Sequence, residues 1–424
     1  MTTTTNSSAA NRALTAAAVG NVLEWYDFAV YAFMATVLAK KFFPAADDIT
    51  SLLSTFAAFG IGFVARPLGG IVIGRIGDTR GRKAALILTI ALMAIGTVAI
   101  GLIPSYETIG VAAPILIVLA RLLQGFSAGG EWGGSTAFMV EWAPEGRRGL
   151  YGSLQQCSVA GGLLLGSGIA ALVNTLFSAQ AVEEWIWRVP FLLGGLIGPV
   201  GIYMRRNIEE TPAFRRAQNS AATPAPAGAS HGWRLGLRAF GFTVHWTVSY
   251  YVILSYLPTF LQKHAGIGRA QALWATTIAL LVLVLTTPLF GLLSDRIGRK
   301  PLLLASCVAF ILLPYPLFSV MSAGVPLGAI ILVQAALALG IALYSGPGPA
   351  AISEIFPTRS RSTWMSAGYS LAVAVFGGFA PFISTWLIAK TATPVSPSYY
   401  VMAAAALSSI VIWRLEETAR KPLS

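Results

Sequence analysis

GRIGDTRGRK, residues 74–83, and GLLSDRIGRK, residues 291–300, are two versions of one motif set 217 positions apart in a chain of 424. Each follows an apolar run long enough to cross a bilayer. A second pair, EWAPEGRR at 141–148 and EIFPTRSR at 354–361, repeats at an offset of 213. Two independent motifs recurring at nearly one period, close to half the chain, predict two matched halves arranged in parallel.

The composition says what those halves are made of. The chain is 55% apolar and only 11% charged, with a mean hydropathy of +0.70, where soluble domains carry about a quarter charged residues. A hydrocarbon core about 30 Å thick needs about 20 helical residues. Windows of that kind fall at 13–38, 50–74, 84–103, 113–142, 150–176, 188–205, 236–262, 270–293, 301–321, 326–352, 363–389 and 397–414. The expected fold is an all-α membrane protein of twelve transmembrane helices in two six-helix bundles. Residues 1–206 make the first bundle and 236–424 the second; 207–235, charged and then rich in Ala, Pro, Gly and Ser, read as a linker.

The net charge of +12 is distributed as a membrane-orientation signal, not as a nucleic-acid footprint. One set of loops holds Arg75, Arg80, Arg82, Lys83, Arg147, Arg148, Arg205, Arg206, Arg215, Arg216, Arg296, Arg299, Lys300, Arg359 and Arg361. The opposite loops hold only Lys40, Lys41, Lys263, Arg269 and Lys390. The basic side is cytoplasmic by the positive-inside rule, and an even number of spans places both termini there, in the inner (plasma) membrane. The N-terminal MTTTTNSSAANRALT has no small-residue cleavage site after a short apolar core, so the first span is expected to remain. Cys157 and Cys307 lie far apart in apolar runs, and three histidines show no ligand spacing. No disulfide, metal site or cofactor is expected. No nucleophile–base pair or phosphate loop suggests an enzyme.

The chemistry-bearing residues are charges inside spans, each costing about 2.5–3.5 kcal/mol at mid-membrane. GNVLEWYDFAVY, residues 20–31, carries Glu24 and Asp27. Glu24 is about 16 Å from the cytoplasmic end of its span at 1.5 Å per residue. Gly20, Glu24 and Tyr31 share one helix face, with Asp27 about 60° round. Arg66, Arg121 and Glu131 complete the intramembrane charges of the first half, and His245 is the deep ionisable group of the second. They read either as salt bridges fastening helices or as a wet cleft where an acid takes a coupling proton and an arginine meets an anion. Proton-coupling candidates are Glu24, Asp27, Glu131 and His245, though a lone buried His also reads as a packed hydrogen-bonder. Substrate-binding candidates are Asn21, Tyr31, Arg66, Arg121, Gln155, Gln156, Arg188, Tyr250 and Tyr251. Arg188, beside Trp185 and Trp187, reads equally as an interfacial anchor.

The repeated loop motifs carry a gate. Glycines such as Gly74 allow close approach at a tight turn, and Asp78 and Asp295 suit the start of a following helix. The cytoplasmic gate is therefore expected at Gly74, Asp78, Arg82, Glu141, Arg147, Asp295, Arg299 and Glu354. The alternative for the basic members is that they only set orientation.

On these motifs the chain resembles the major facilitator superfamily over all twelve spans. A closer resemblance, to the metabolite:proton symporter family (α-ketoglutarate and citrate permeases among them), is carried by GNVLEWYDF (20–28), ARPLGG (65–70), RLLQGFSAGGEWGG (121–134), WRVPF (187–191) and SYYVMAAA (398–405). The resemblance implies a secondary transporter working by alternating access, with a small metabolite, protons and the lipid bilayer as its partners, acting as a monomer. Exporters of the superfamily often carry a Gly-Pro pair in span 5; SLQQCSVAGGLLLGSGIAAL, residues 153–172, has no proline, which favours symport. Arg66 and Arg121 suit a carboxylate. Osmolyte transporters of the family often bear a long charged C-terminal coiled coil, and this sequence stops about ten residues after span 12. Uptake of a di- or tricarboxylate is therefore ranked first and uptake of a zwitterionic osmolyte second, ahead of drug export or a non-transporting sensor.

Overall fold

The computed structural model describes residues 7–80, 82–141, 143–206, 232–356 and 361–421. They form twelve helical units. In the first half these are α1 (Ser7–Phe33 and Ala35–Phe42), α2 (Asp48–Val64 and Arg66–Arg80), α3 (Arg82–Leu102), α4 (Ala112–Glu141), α5 (Arg148–Leu176) and α6 (Val189–Arg206). The second half comprises α7 (Gly232–Tyr250, continuing through Leu257–His264), α8 (Arg269–Ile297), α9 (Arg299–Leu312 and Pro314–Ser322), α10 (Leu327–Ser345 and Gly348–Glu354), α11 (Arg361–Ala372, continuing through Ala380–Thr391) and α12 (Pro397–Trp413). Among the described residues, six helices are long and apolar enough to cross a membrane, or eight if each of two bent pairs is one span. The architecture is the all-helical one expected. Residues 207–231 of the expected linker lie outside the described residues, and α7 begins at Gly232, before the expected 236.

Several spans are less regular than their apolar patterns suggest. α1 bends by 63° at Met34 and α9 by 45° ahead of Pro314. In α7 the turn widens to a π-helix over Tyr251–Tyr256, and in α11 over Val373–Gly377. Both wide turns end just before a proline, Pro258 or Pro381. A proline ring clashes with the carbonyl four residues earlier and has no N–H to donate. Widening the preceding turn relieves that clash, and π-bulges recur at functional sites. Breaks also fall in α4, at the 3₁₀ turn Ala128–Gly130, and in α10, between Ser345 and Gly348.

Two close approaches explain motif glycines. A Cβ on Gly125 of α4 would lie 1.5 Å from the Gly62 carbonyl oxygen of α2, and one on Gly69 1.7 Å from the Phe126 oxygen and one on Gly129 2.0 Å from the Arg66 oxygen, so ARPLGG and RLLQGFSAGGEWGG meet backbone to backbone. At the junction of the halves, a Cβ on Gly149 of α5 would lie 2.4 Å from the Gly291 oxygen of α8, and one on Gly291 2.6 Å from the Gly149 oxygen. Small residues admit such contacts between membrane helices. α5 and α8 run antiparallel along their length: Cys157 Sγ contacts the Val284 oxygen at 3.6 Å, Ser167 Oγ lies 2.8 Å from Thr277 Oγ1, and Trp274 Nε1 donates to Thr175 Oγ1 at 3.0 Å.

Candidate functional site

The halves face each other across an aromatic layer at mid-membrane depth. Trp25 of α1 meets Tyr250 and Tyr251 of α7, with ring centroids 6.4 and 6.3 Å apart. Tyr251 also meets Phe59 and Phe63 of α2 at 6.1 and 5.4 Å. Beside this layer, Trp132 of α4 stacks on Tyr369 of α11 at 3.5 Å and 1° between planes, with Trp246 of α7 6.0 Å from Trp132.

Set into this layer are the charges that the sequence singled out. Arg66 Nη2 lies 3.9 Å from Glu24 Oε1, with side chains 2% and 9% exposed. The Arg66 guanidinium is 4.7 Å from the Phe63 ring, 5.1 Å from Phe28 and 5.8 Å from Trp25, within cation–π range. Arg121 is more tightly held. It lies 5.0, 4.7 and 4.8 Å from the rings of Phe28, Tyr31 and Phe59, donating to Gln124 Oε1 at 2.8 Å and the Phe59 carbonyl at 3.2 Å. Both arginines thus share Phe28. Buried polar atoms with no hydrogen-bond partner include Arg66 Nε and Nη2, Trp132 Nε1, both amide atoms of Gln155, Gln156 Oε1 and the Tyr250 and Tyr251 hydroxyls. Buried polar groups are normally satisfied, so this set reads as donors and acceptors kept for a polar ligand.

Asp27 lies about one turn further along α1, 3% exposed, with Oδ1 unpartnered. Beside it and Glu24 is a cavity of about 20 Å³ among α1, α3, α4 and α6, lined by residues including Thr89, Met93, Ser127 and Gly194. That is room for about one water.

Other expected site residues have local partners instead. His245 is fully buried within the C-terminal bundle, its Nε2 3.2 Å from Ser306 Oγ and its ring 5.0 Å from both Phe310 and Tyr344. It does not join the acids of α1. Arg188 donates to the Gly101 and Ile103 carbonyls at 2.8 and 2.9 Å and stacks on Trp187 at 4.4 Å, tying off the C-terminal end of α3. Asn21 donates to Ser158 Oγ at 3.1 Å and Tyr31 to the Thr55 carbonyl at 3.1 Å, both within the first half. The side chain of Glu131 lies outside the described residues.

At the Gly149–Gly291 end of the junction the halves are joined through Asp295. Its carboxylate accepts the backbone N–H groups of Gly149 and Leu150, at 2.8 and 3.0 Å, in the first turn of α5. These are orphan donors of a helix N-terminus, capped here by the opposite half. Arg299 donates to Asp295 at 2.7 Å and reaches Glu354 at 3.4 Å; Arg148 reaches Glu354 at 3.5 Å from the first half. The basic partner is thus Arg148, whereas Arg147 is exposed and precedes α5. Glu141 is exposed at the end of α4. Gly74, Asp78 and Arg82 fall on α2 and α3, with their side chains outside the described residues.

The opposite end is closed by exposed and half-buried pairs. Lys263 Nζ lies 2.7 Å from Asp48, while Glu183 receives Lys40 at 2.9 Å and Arg269 at 3.2 Å. They border a cavity of about 180 Å³ that Thr36, Ser51 and Gln262 also line. The hydrogen bond from Lys40, aided by Arg269, holds the Glu183 carboxyl below its usual range. No group of His, Cys, Asp and Glu among the described residues could hold a metal.

Comparison with known proteins agrees with this geometry. Residues 13–233 match the family described as sugar (and other) transporter, and 238–424 match the Major Facilitator Superfamily. The glycine betaine/proline/ectoine/pipecolic acid transporter OusA of Dickeya dadantii is 36% identical, covering 97% of this chain and 84% of its own. The proline/betaine transporter of Escherichia coli (strain K12) is 35% identical with the same coverage, and the citrate-proton symporter of Klebsiella pneumoniae 38% identical over 91% of this chain and 87% of its own. The solved xylose transporter XylE from E. coli, in a partially occluded inward open conformation, superposes with a TM-score of 0.78 at 19% identity, covering 98% of this chain and 100% of its own. The protein is therefore a multi-pass membrane transporter rather than an enzyme, and it belongs to the major facilitator superfamily.

Proposed function

We propose that the protein takes up a small zwitterionic osmolyte of the betaine or proline type together with a proton, by alternating exposure of the central cleft. The observation that carries this is the Glu24–Arg66 pair enclosed by aromatic rings from both halves. A zwitterion finds a partner for each end there. Its carboxylate meets Arg66 and draws on Arg121, while its ammonium meets Glu24 and the faces of Trp25 and Tyr251. Quaternary ammonium groups favour such faces. Asp27, outside that pair and beside the one-water cavity, is the acid for the coupling proton. Both termini are cytoplasmic, so the Asp295 clasp closes the inner end.

A tricarboxylate fits less well. Three carboxylates would share two arginines, and Glu24 beside Arg66 would repel an anion. The arginines alone had favoured organic acids, but the betaine and proline transporters among the relatives support the zwitterion. Citrate remains a second reading, favoured by the similarity to the citrate-proton symporter.

The test is uptake into proteoliposomes with an acid exterior and a negative interior. Labelled glycine betaine or proline accumulates and citrate does not. Accumulation of citrate, with both zwitterions at the level of empty vesicles, overturns the reading.

A further inference from the structure

Four buried polar side chains on three helices make a chain from the cleft into the first bundle. Arg121 Nη1 donates to Gln124 Oε1 at 2.8 Å, and Gln124 Nε2 donates to Thr97 Oγ1 at 2.7 Å. Thr97 stands beside the Asp27 carboxyl, with its own hydroxyl on the Met93 carbonyl at 3.1 Å. A Cβ added to Gly194 would lie 2.7 Å from Thr97 Cγ2 and 3.2 Å from Asp27 Oδ1, so the two side chains share one wall. Arg121, Gln124 and Thr97 are fully buried.

The direction of each bond is dictated. A guanidinium only donates, so Oε1 must face Arg121 and the amide NH₂ must face Thr97. The Thr97 hydroxyl has one proton, which then points away from Gln124, toward the Met93 carbonyl at 3.1 Å or toward Asp27. In this state Thr97 can donate to an ionised Asp27. If Arg121 turns to a solute carboxylate, nothing holds the Gln124 amide in that sense. A half-turn of the amide presents Oε1 to Thr97, whose hydroxyl then donates to Gln124 and offers Asp27 only lone pairs. Facing lone pairs, a protonated carboxyl is favoured over a charged one. Solute arrival at Arg121 thereby promotes proton uptake at Asp27, the sign that symport requires.

We infer that Gln124 and Thr97 are positioning residues that couple solute at Arg121 to the proton on Asp27 by reorienting hydrogen bonds. The inference rests on the reading that Asp27 takes the proton and that the solute carboxylate engages Arg121. The titratable or charged groups around Asp27 are Glu24, Tyr26 and Tyr31 on its own helix and Arg121 on α4, with Arg66 of α2 beyond Glu24. From α3 and α6 it is faced by Thr89, Thr97, Gly194 and Gly198, none of them titratable.

The test is calorimetric binding of glycine betaine to the purified full-length protein at pH 5.5 and pH 8, with protons counted in two buffers. In the wild type, binding is about tenfold tighter at the lower pH, the size expected of one hydrogen bond to an ionised group, with proton uptake on binding. Thr97→Val preserves shape and removes the hydroxyl; its affinities at the two pH values fall within about twofold. Gln124→Leu behaves alike, and Thr97→Ser restores the dependence. Thr97→Val retaining the full pH dependence and proton uptake, while melting like the wild type, overturns the relay and leaves the symport reading standing. Binding by the wild type with no pH dependence overturns the symport reading and the relay with it.

Discussion

Asp295→Asn should release the cytoplasmic closure, and the structure sets the size of the effect. Only contacts between the halves count, because the Arg299 bonds to Asp295 and Glu354 lie within one half and survive opening. What Asp295 gives across the junction is a carboxylate, 4% exposed, on two N–H groups of the α5 N-terminus at 2.8 and 3.0 Å. An anion in a partly buried site at a helix N-terminus contributes up to about 2 kcal/mol. Weakening a charge-assisted hydrogen bond costs about 1 kcal/mol more. Asparagine keeps an acceptor but loses the charge, so the closed state loses about 2–3 kcal/mol, a shift of about 30- to 150-fold in population. Cys157 reports on it, since it faces α8 through the Val284 carbonyl and lies about 12 Å deeper along α5 than Gly149. Cys307 is fully buried and can be replaced by serine. Maleimide labelling of Cys157 from the cytoplasmic side should rise by that factor, until the open state predominates. A rate within twofold of the parent would refute the claim that Asp295 clasps the halves.

The remaining expectations concern packing, recognition and the outer face. Gly125→Ala forces a Cβ against the Gly62 carbonyl and should cost about 1–3 kcal/mol or more, whereas Gly134→Ala, with nothing within 4 Å, should be tolerated; equal melting temperatures would contradict the α2–α4 contact. Trp25→Leu should weaken glycine betaine by about two- to thirtyfold and should affect proline less, read as uptake KM; an equal effect on both solutes would remove the cation–π argument. At the outer face, the depressed carboxyl of Glu183 gives a defined sign. The closure that it supports is complete above the ordinary carboxylate range near pH 4.3 and is lost only as pH falls through the lower value. Labelling of Ala39→Cys, in the wall of the cavity that these pairs border, corrected for thiol ionisation, should therefore be flat from pH 8 to 5.5, and a rise within that window would contradict the assignment. Exposed pairs contribute little, so Glu183→Gln should raise that labelling by less than about fivefold.

Sequence reasoning reached the all-helical architecture because membrane helices announce themselves by length and charge. Glu24, Asp27, Arg66 and Arg121 were legible because ionised groups in hydrocarbon stand out by cost. His245 and Arg188 stood out for the same reason, but their partners, Ser306 in α9 and carbonyls at the end of α3, are distant in sequence. Gln124 and Thr97 raised no signal, since neutral polar residues are cheap in a span; the one clue was Gln124 standing three residues from Arg121, on the same helix face. Trp25 and Trp132 stand in motifs quoted for the resemblance, but their partners Tyr251 and Tyr369 are distant in sequence and lie in the other half. The choice between Arg147 and Arg148 depended on where α5 begins, a boundary that apolar patterning leaves open by a residue or two.

The central claim is that solute and proton cross together, the proton on Asp27 and the zwitterion between Arg66, Glu24 and the aromatic layer. Proteoliposomes loaded with a pH dye and given external glycine betaine test it most directly. The account predicts solute-dependent acidification of the lumen by the wild type, and none by Asp27→Asn, which still exchanges labelled for unlabelled solute. Undiminished acidification by Asp27→Asn, or solute uptake by the wild type without any proton movement, would contradict it.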